Sequence, residues 1–168
     1  MVKNPKKLAA KAREISNKIS FDFDSYETLI LGYSTELKAK ISKMVFVESE
    51  ADLEVLHKLS VIFSRKRVEV TDLKISLGKV LKGLNMILEE FEKRLYTCEE
   101  IVGLKNEPSR NSMVWLWLKP VMKKRNNVKY LYDMLDELKW MVNSTQKDIE
   151  SQKDLWKERN WTYRNSKF

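Results

Sequence analysis

Glycine and proline are scarce in this chain, with 4 Gly and 3 Pro in 168 residues. Sandwiches and doubly wound sheets need many turns, so both are disfavoured. The glycines at 32, 78, 83 and 103 are isolated from one another. A phosphate-cradling loop needs several together, where backbone must approach the ligand. The lone cysteine, Cys98, cannot form an intramolecular disulfide and points to a reducing compartment. Cys98 and the lone histidine, His57, fall short of the three or four ligands of a zinc site, and one Glu54/His57 pair is not the doubled Glu-x-x-His of a metal-carboxylate bundle. No cofactor or metal is therefore expected. The longest apolar run in the C-terminal half, residues 113–118, is too short to span a bilayer. The basic N-terminus lacks the apolar stretch of a secretory signal. The expected location is the cytoplasm, or host cytoplasm and virion if the chain is viral.

What is abundant is apolar and charged residues at helical spacing. At 43% hydrophobic and 33% charged, the chain can bury the core of one ordinary domain. Asn4 followed by Pro5 signals a helix start, with Leu8, Ala12, Ile15 and Ile19 as its stripe and an end near Ser20. Asp24 and Glu27 read as a capping box for a second helix carrying Tyr26, Ile30, Tyr33, Leu37, Ile41 and Met44. Ser49 and Asp52 open a third with Leu53, Leu56, Leu59 and Phe63. Residues 64–70 read either as a bend or as continued helix, so 49–104 is one helix or two.

Two long seams follow. Leu77, Leu81, Leu84, Leu88, Phe91, Leu95, Cys98 and Val102 alternate by four and three, flanked by Leu73, Val80, Ile87 and Ile101. Gly103 and Pro108 are expected to end that helix. The second seam is Val128, Leu131, Leu135, Leu138, Val142, Thr145, Ile149, Gln152 and Trp156, its polar members weakening the C-terminal half. Residues 114–118 read as a helical turn ended or kinked before Pro120. The expected fold is all-α: an elongated bundle on an antiparallel helical hairpin roughly 45 to 50 Å long at 1.5 Å per residue, with shorter N-terminal helices packed on it. As one domain, it divides into N-terminal helices (1–70), hairpin helices (71–104 and 121–160) and a basic-aromatic tail (161–168).

Catalytic chemistry finds little support. Any pairing of His57 with a serine is arbitrary, and Glu89, Glu90, Glu99 and Glu100 read as helix-surface carboxylates of the kind that pair one turn away, as Glu90 does with Arg94. The chain reads as a non-enzyme.

The net charge of +8 is uneven. Residues 1–20 carry +5 through Lys3, Lys6, Lys7, Lys11, Arg13 and Lys18 against Glu14. Residues 105–130 carry +6, with Lys119, Lys123, Lys124, Arg125 and Lys129 in a cluster. Residues 21–63 hold eight acids against four lysines. A third basic group, Lys157, Arg159, Arg164 and Lys167, interleaves with Trp156, Trp161, Tyr163 and Phe168. Basic side chains beside exposed rings suit single-stranded nucleic acid, charge meeting the backbone and π-faces the bases. The competing reading places Trp156 in the seam and Trp115 and Trp117 as plugs of a bundle end, leaving Trp161, Tyr163 and Phe168 for intermolecular contact. The functional expectation is a self-associating helical accessory protein, of a composition that suits a phage-encoded one, that contacts nucleic acid in replication, recombination or packaging. The alternative is a structural subunit or scaffold, such as a virion component, with no nucleic-acid role. A second copy or another protein is the expected partner, and a membrane is not.

Overall fold

The computed structural model describes residues 4–44 and 46–165, with side chains as far as 161. Among the described residues the protein is helical without a strand. The helices are α1 (Pro5–Lys18), α2 (Phe23–Ile41), α3 (Glu50–Leu95), the single turn α4 (Glu99–Val102) and α5 (Glu107–Asn165). It is an all-α helical bundle in which α3 packs against α5.

The chain divides into two compact units: unit 1 is Met1–Tyr26 with Ile75–Tyr132, and unit 2 is Glu27–Lys74 with Asp133–Phe168. In unit 1, Tyr132 approaches Gly78, Arg125 bonds Asn85 and Tyr96 bonds Asn111, so the α5 index falls as the α3 index rises. In unit 2, Ser64 meets Gln146 and Lys74 meets Asp136, again in antiparallel order. The antiparallel pairing holds in each unit taken by itself.

The helix starts follow their caps. Asn4 accepts from the amides of Lys6 at 2.9 Å and Lys7 at 3.3 Å, with Pro5 as the first helical residue. Ser49 and Asp52 form a reciprocal box: Asp52 N–H donates to Ser49 Oγ at 3.2 Å and Ser49 N–H to Asp52 Oδ2 at 3.0 Å. At α2 the expected Asp24–Glu27 box is replaced by Asp22, which accepts from the Ser25 hydroxyl at 2.6 Å and the Ser25 amide at 3.3 Å. A cap stands just before the first helical residue, and α2 begins at Phe23, two residues earlier than the Asp24 reading implies.

Helix ends differ further from expectation. Residues 64–70 are continuous helix within α3, which stops at Leu95 rather than near Gly103. Pro108, expected to terminate a helix, stands in the first turn of α5, where its missing N–H has no intrahelical partner to lose. Asn106 caps that turn by accepting from Ser109 N–H at 3.0 Å. The second hairpin helix thus starts at Glu107 instead of 121 and runs through Pro120. Pro120 and Leu116 are both exposed, so water can serve the Leu116 carbonyl that Pro120 leaves without a donor. The region expected as a tail from 161 is helical as far as Asn165.

The core follows a stride of seven. On α3, Leu56, Phe63 and Val70 in unit 2 and Leu77, Leu84, Phe91 and the following Cys98 in unit 1 are fully buried. On α5, Val114, Val121 and Val128 in unit 1 and Leu135, Val142 and Ile149 in unit 2 do the same. Leu95, Leu131 and Leu138 are also buried, whereas Leu81, Leu88 and Trp156 are only half-buried. Ala12 and Ser16 of α1 complete the core of unit 1, and Ile30 and Leu37 of α2 that of unit 2. At Gly83 an added Cβ would stand 3.3 Å from Ile19 Cδ1, so the absent side chain lets α1's end lie against α3.

Candidate functional site

Charge separates cleanly between the two units. Unit 1 contains 17 Lys and Arg against 9 acids, and unit 2 contains 15 against 15. The whole excess of +8 therefore belongs to unit 1. Its exposed cations include Lys6, Lys7, Lys11 and Arg13 on α1, and Lys119, Lys123 and Lys129 on α5. Among the described residues, no ion pair engages Lys6, Lys7, Lys11, Lys119 or Lys123. Lys119 Nζ instead lies 5.8 Å from the centroid of the Trp115 ring, and Trp115 is 50% exposed.

Two members of the same basic cluster serve the fold. Lys124 Nζ donates to the carbonyls of Ser16 and Ile19, each at 2.8 Å, closing the C-terminal end of α1. Burial there holds its ammonium below the ordinary lysine pKa. Arg125 donates through Nε to Asn85 Oδ1 and through Nη1 to Asn126 Oδ1, both at 3.1 Å, and is half-buried.

Unit 1 also holds a groove of about 440 Å³ between α3 and α5. Leu88, Val114, Leu118 and Met122 supply apolar lining. Arg125 with Asn85 and Asn126 marks one end, and Tyr96 with Asn111 the other. Glu89 and Glu92 line the α3 side, and Trp115 lines the α5 side. The Tyr96 hydroxyl donates to Asn111 Oδ1, and burial, together with the nearby carboxylates of Glu92 and Glu107, raises the phenol above its ordinary pKa. Tyr96 therefore remains a protonated donor at neutral pH.

Comparison with protein-family models, curated proteins and solved structures finds no match for this chain. The functional reading rests on the residues themselves.

The third basic group lies in the neutral unit 2. Lys157 is ion-paired with Asp154 at 3.1 Å, and Arg159 lines a small cavity of about 180 Å³ beside Phe46 and Trp156. Trp161 is 71% exposed. The side chains of Tyr163 and Arg164, and Phe168 altogether, lie outside the described residues. His57 is exposed, and Glu54, one turn before it, pairs with Lys58 at 2.8 Å. Among the described residues no three metal-ligating side chains cluster, and no helix is long and apolar enough to cross a membrane.

Lys119 and Trp115 stand out in the sequence, where a bundle plug competes with a stacking role for the ring; Trp115 is 50% exposed and lines the groove. Asn85, Tyr96 and Asn111 were not anticipated. The signal that finds them is the antiparallel register, which becomes readable only once α5 is known to begin upstream of residue 121.

Proposed function

We propose that the protein is a non-enzymatic helical accessory protein that binds nucleic acid through unit 1. The observation that carries this reading is the partition of charge: all of the net +8 falls in one compact unit and none in the other. A polyanion gains from many such cations at once by releasing its condensed counterions. Exposed lysines without ion pairs deliver that attraction without first breaking a bond inside the protein. Replication, recombination and packaging all use factors with these properties.

The test is fluorescence anisotropy of labelled single- and double-stranded oligonucleotides with the full chain, titrated from about 50 mM salt upward. Binding that falls steeply with salt is expected, and Lys119→Glu with Lys123→Glu should weaken it strongly. Lys157→Glu, in the neutral unit, should have little effect. Absence of salt-dependent binding at the lowest salt overturns the reading.

A protein-contacting role for unit 2 is favoured by a separate observation. Its balanced charge accompanies three aromatic side chains, Phe46, Trp140 and Trp161, each more than two-thirds exposed. Aromatic residues are enriched at protein interfaces. Self-association through this unit predicts a concentration-dependent mass by light scattering that Trp140→Ser and Trp161→Ser abolish.

A further inference from the structure

We propose that the Tyr96 end of the unit 1 groove is a pocket for a single unstacked nucleobase, with guanine preferred. The inference rests on the nucleic-acid reading and deepens it from phosphate attraction to base recognition.

The α3–α5 register places the parts. Arg125 pairs with Asn85 and Tyr96 with Asn111, so Glu92 and Trp115 fall between these two cross-links on facing helices. Both line the same cavity, whose volume of about 440 Å³ lies within the range of small-ligand sites. The half-exposed Trp115 ring offers a stacking face, and Lys119 beside it offers a cation for the adjoining phosphate.

The carboxylates decide the ligand. Glu90 on the same turn is occupied by Arg94, whereas no ion pair engages Glu89 or Glu92 among the described residues. A carboxylate on a phosphate-binding surface repels the backbone, so a ligand group that seats against it presents N–H or O–H donors, and a base edge presents N–H. The excess positive charge of unit 1 disfavours a free cation in that role and attracts a polyanion. A base edge carried on a polyanion satisfies both conditions. Guanine presents two adjacent donors, N1–H and the N2 amino group, next to the O6 acceptor. Glu92 can take the donors. Asn111, whose Oδ1 already accepts from Tyr96, retains its amide NH₂ for O6. Thymine and uracil offer a single N–H flanked by two carbonyls and meet the carboxylate less well.

The experiment uses the full chain and short thymine oligonucleotides that carry guanine, inosine or thymine at one central position. The guanine strand should bind about tenfold more tightly than the all-thymine strand, with inosine, which lacks the N2 amino donor, in between. Glu92→Gln should remove most of the guanine advantage while leaving the affinity for thymine equal or higher, since one charge that repels the backbone is gone. Trp115→Ala should weaken binding to every strand by about tenfold, with helicity by circular dichroism unchanged. Equal, salt-dependent binding of the three strands to the wild-type chain overturns the pocket and leaves the electrostatic reading standing. Failure of every strand to bind at low salt overturns both. The guanine-to-inosine comparison needs no protein variant, so it remains decisive if a substitution disturbs folding.

Discussion

Lys124 on α5 closes the end of α1, donating to Ser16 O and Ile19 O at 2.8 Å each. Hydrogen bonds from a charged group contribute roughly 1.5–3 kcal/mol, so Lys124→Met should lower unfolding stability by about 2 kcal/mol in urea titrations. Amide exchange in the last turn of α1 should quicken. Lys123→Glu, one residue away on the exposed side, should leave stability within about 0.5 kcal/mol while weakening oligonucleotide binding. Equal stability losses for the two variants would contradict this division of labour.

Lys66 fastens α2 to α3 within unit 2. Its ammonium is 3.0 Å from Glu36 and 2.9 Å from Glu69, lies over the Tyr33 ring, and has a side chain only 14% exposed. Burial pulls its pKa down, but the hydrogen bonds and charges of Glu69 and Glu36 outweigh that pull and leave it above the ordinary value. A raised pKa stabilises the fold below the unfolded-state value and loses that contribution as pH rises through the folded-state value. Alkaline unfolding monitored above about pH 10 should therefore include a Lys66 component that Lys66→Met lacks. At neutral pH that variant leaves two carboxylates without their shared cation and should cost about 1–3 kcal/mol.

Acid should loosen two helix starts. Asp22 is held below the ordinary carboxylate range by its bonds from the Ser25 side chain and backbone, and Asp52 by those from the Ser49 side chain and the Glu48 amide. A depressed carboxylate pKa stabilises the folded state above the unfolded value, about 4, and that stabilisation disappears as pH falls through the lower folded value. NMR titration of the Ser25 and Ser49 amides should follow these two aspartates below pH 4. In Asp22→Asn the Ser25 transition should vanish while that of Ser49 persists.

Some polar atoms are orphaned among the described residues. Gln152 is half-buried, and its Oε1 is screened from solvent with no hydrogen-bond partner among them, at a position where the α5 seam carries mostly apolar side chains. A buried unsatisfied acceptor costs roughly 1–3 kcal/mol, so Gln152→Leu should raise the urea midpoint. An unchanged or lower midpoint would mean that the glutamine packs better than leucine there.

The fold was readable because burial repeats with the helical period. The runs from Leu77 and from Val128 identify both long helices, and Asn4 and Ser49 announce two helix starts through their side-chain oxygens. The errors cluster where a local signal has two meanings. Pro108 stops a helix when it follows one, yet is tolerated in the first turn of the next. Pro120 is survivable because its side of α5 is exposed, and exposure is a tertiary property. The basic cluster was visible, but Lys123 and Lys124 are adjacent and alike in sequence; only the position of the α1 carbonyls separates them. Tyr96 and Asn111 belong to different helices, and no local pattern joins them before the register is known.

The stride of seven gives the chain a grammar of permitted lengths. Adding one residue between Phe63 and Val70 would turn every downstream α3 side chain by about 100°, moving Leu77, Leu84 and Phe91 off the buried face together. Adding seven would restore the face and lengthen the helix by two turns. Insertions and deletions in this protein should thus be tolerated as matched steps of seven at facing positions of α3 and α5, which keep the antiparallel pairs in register, while single steps are confined to the connections between helices.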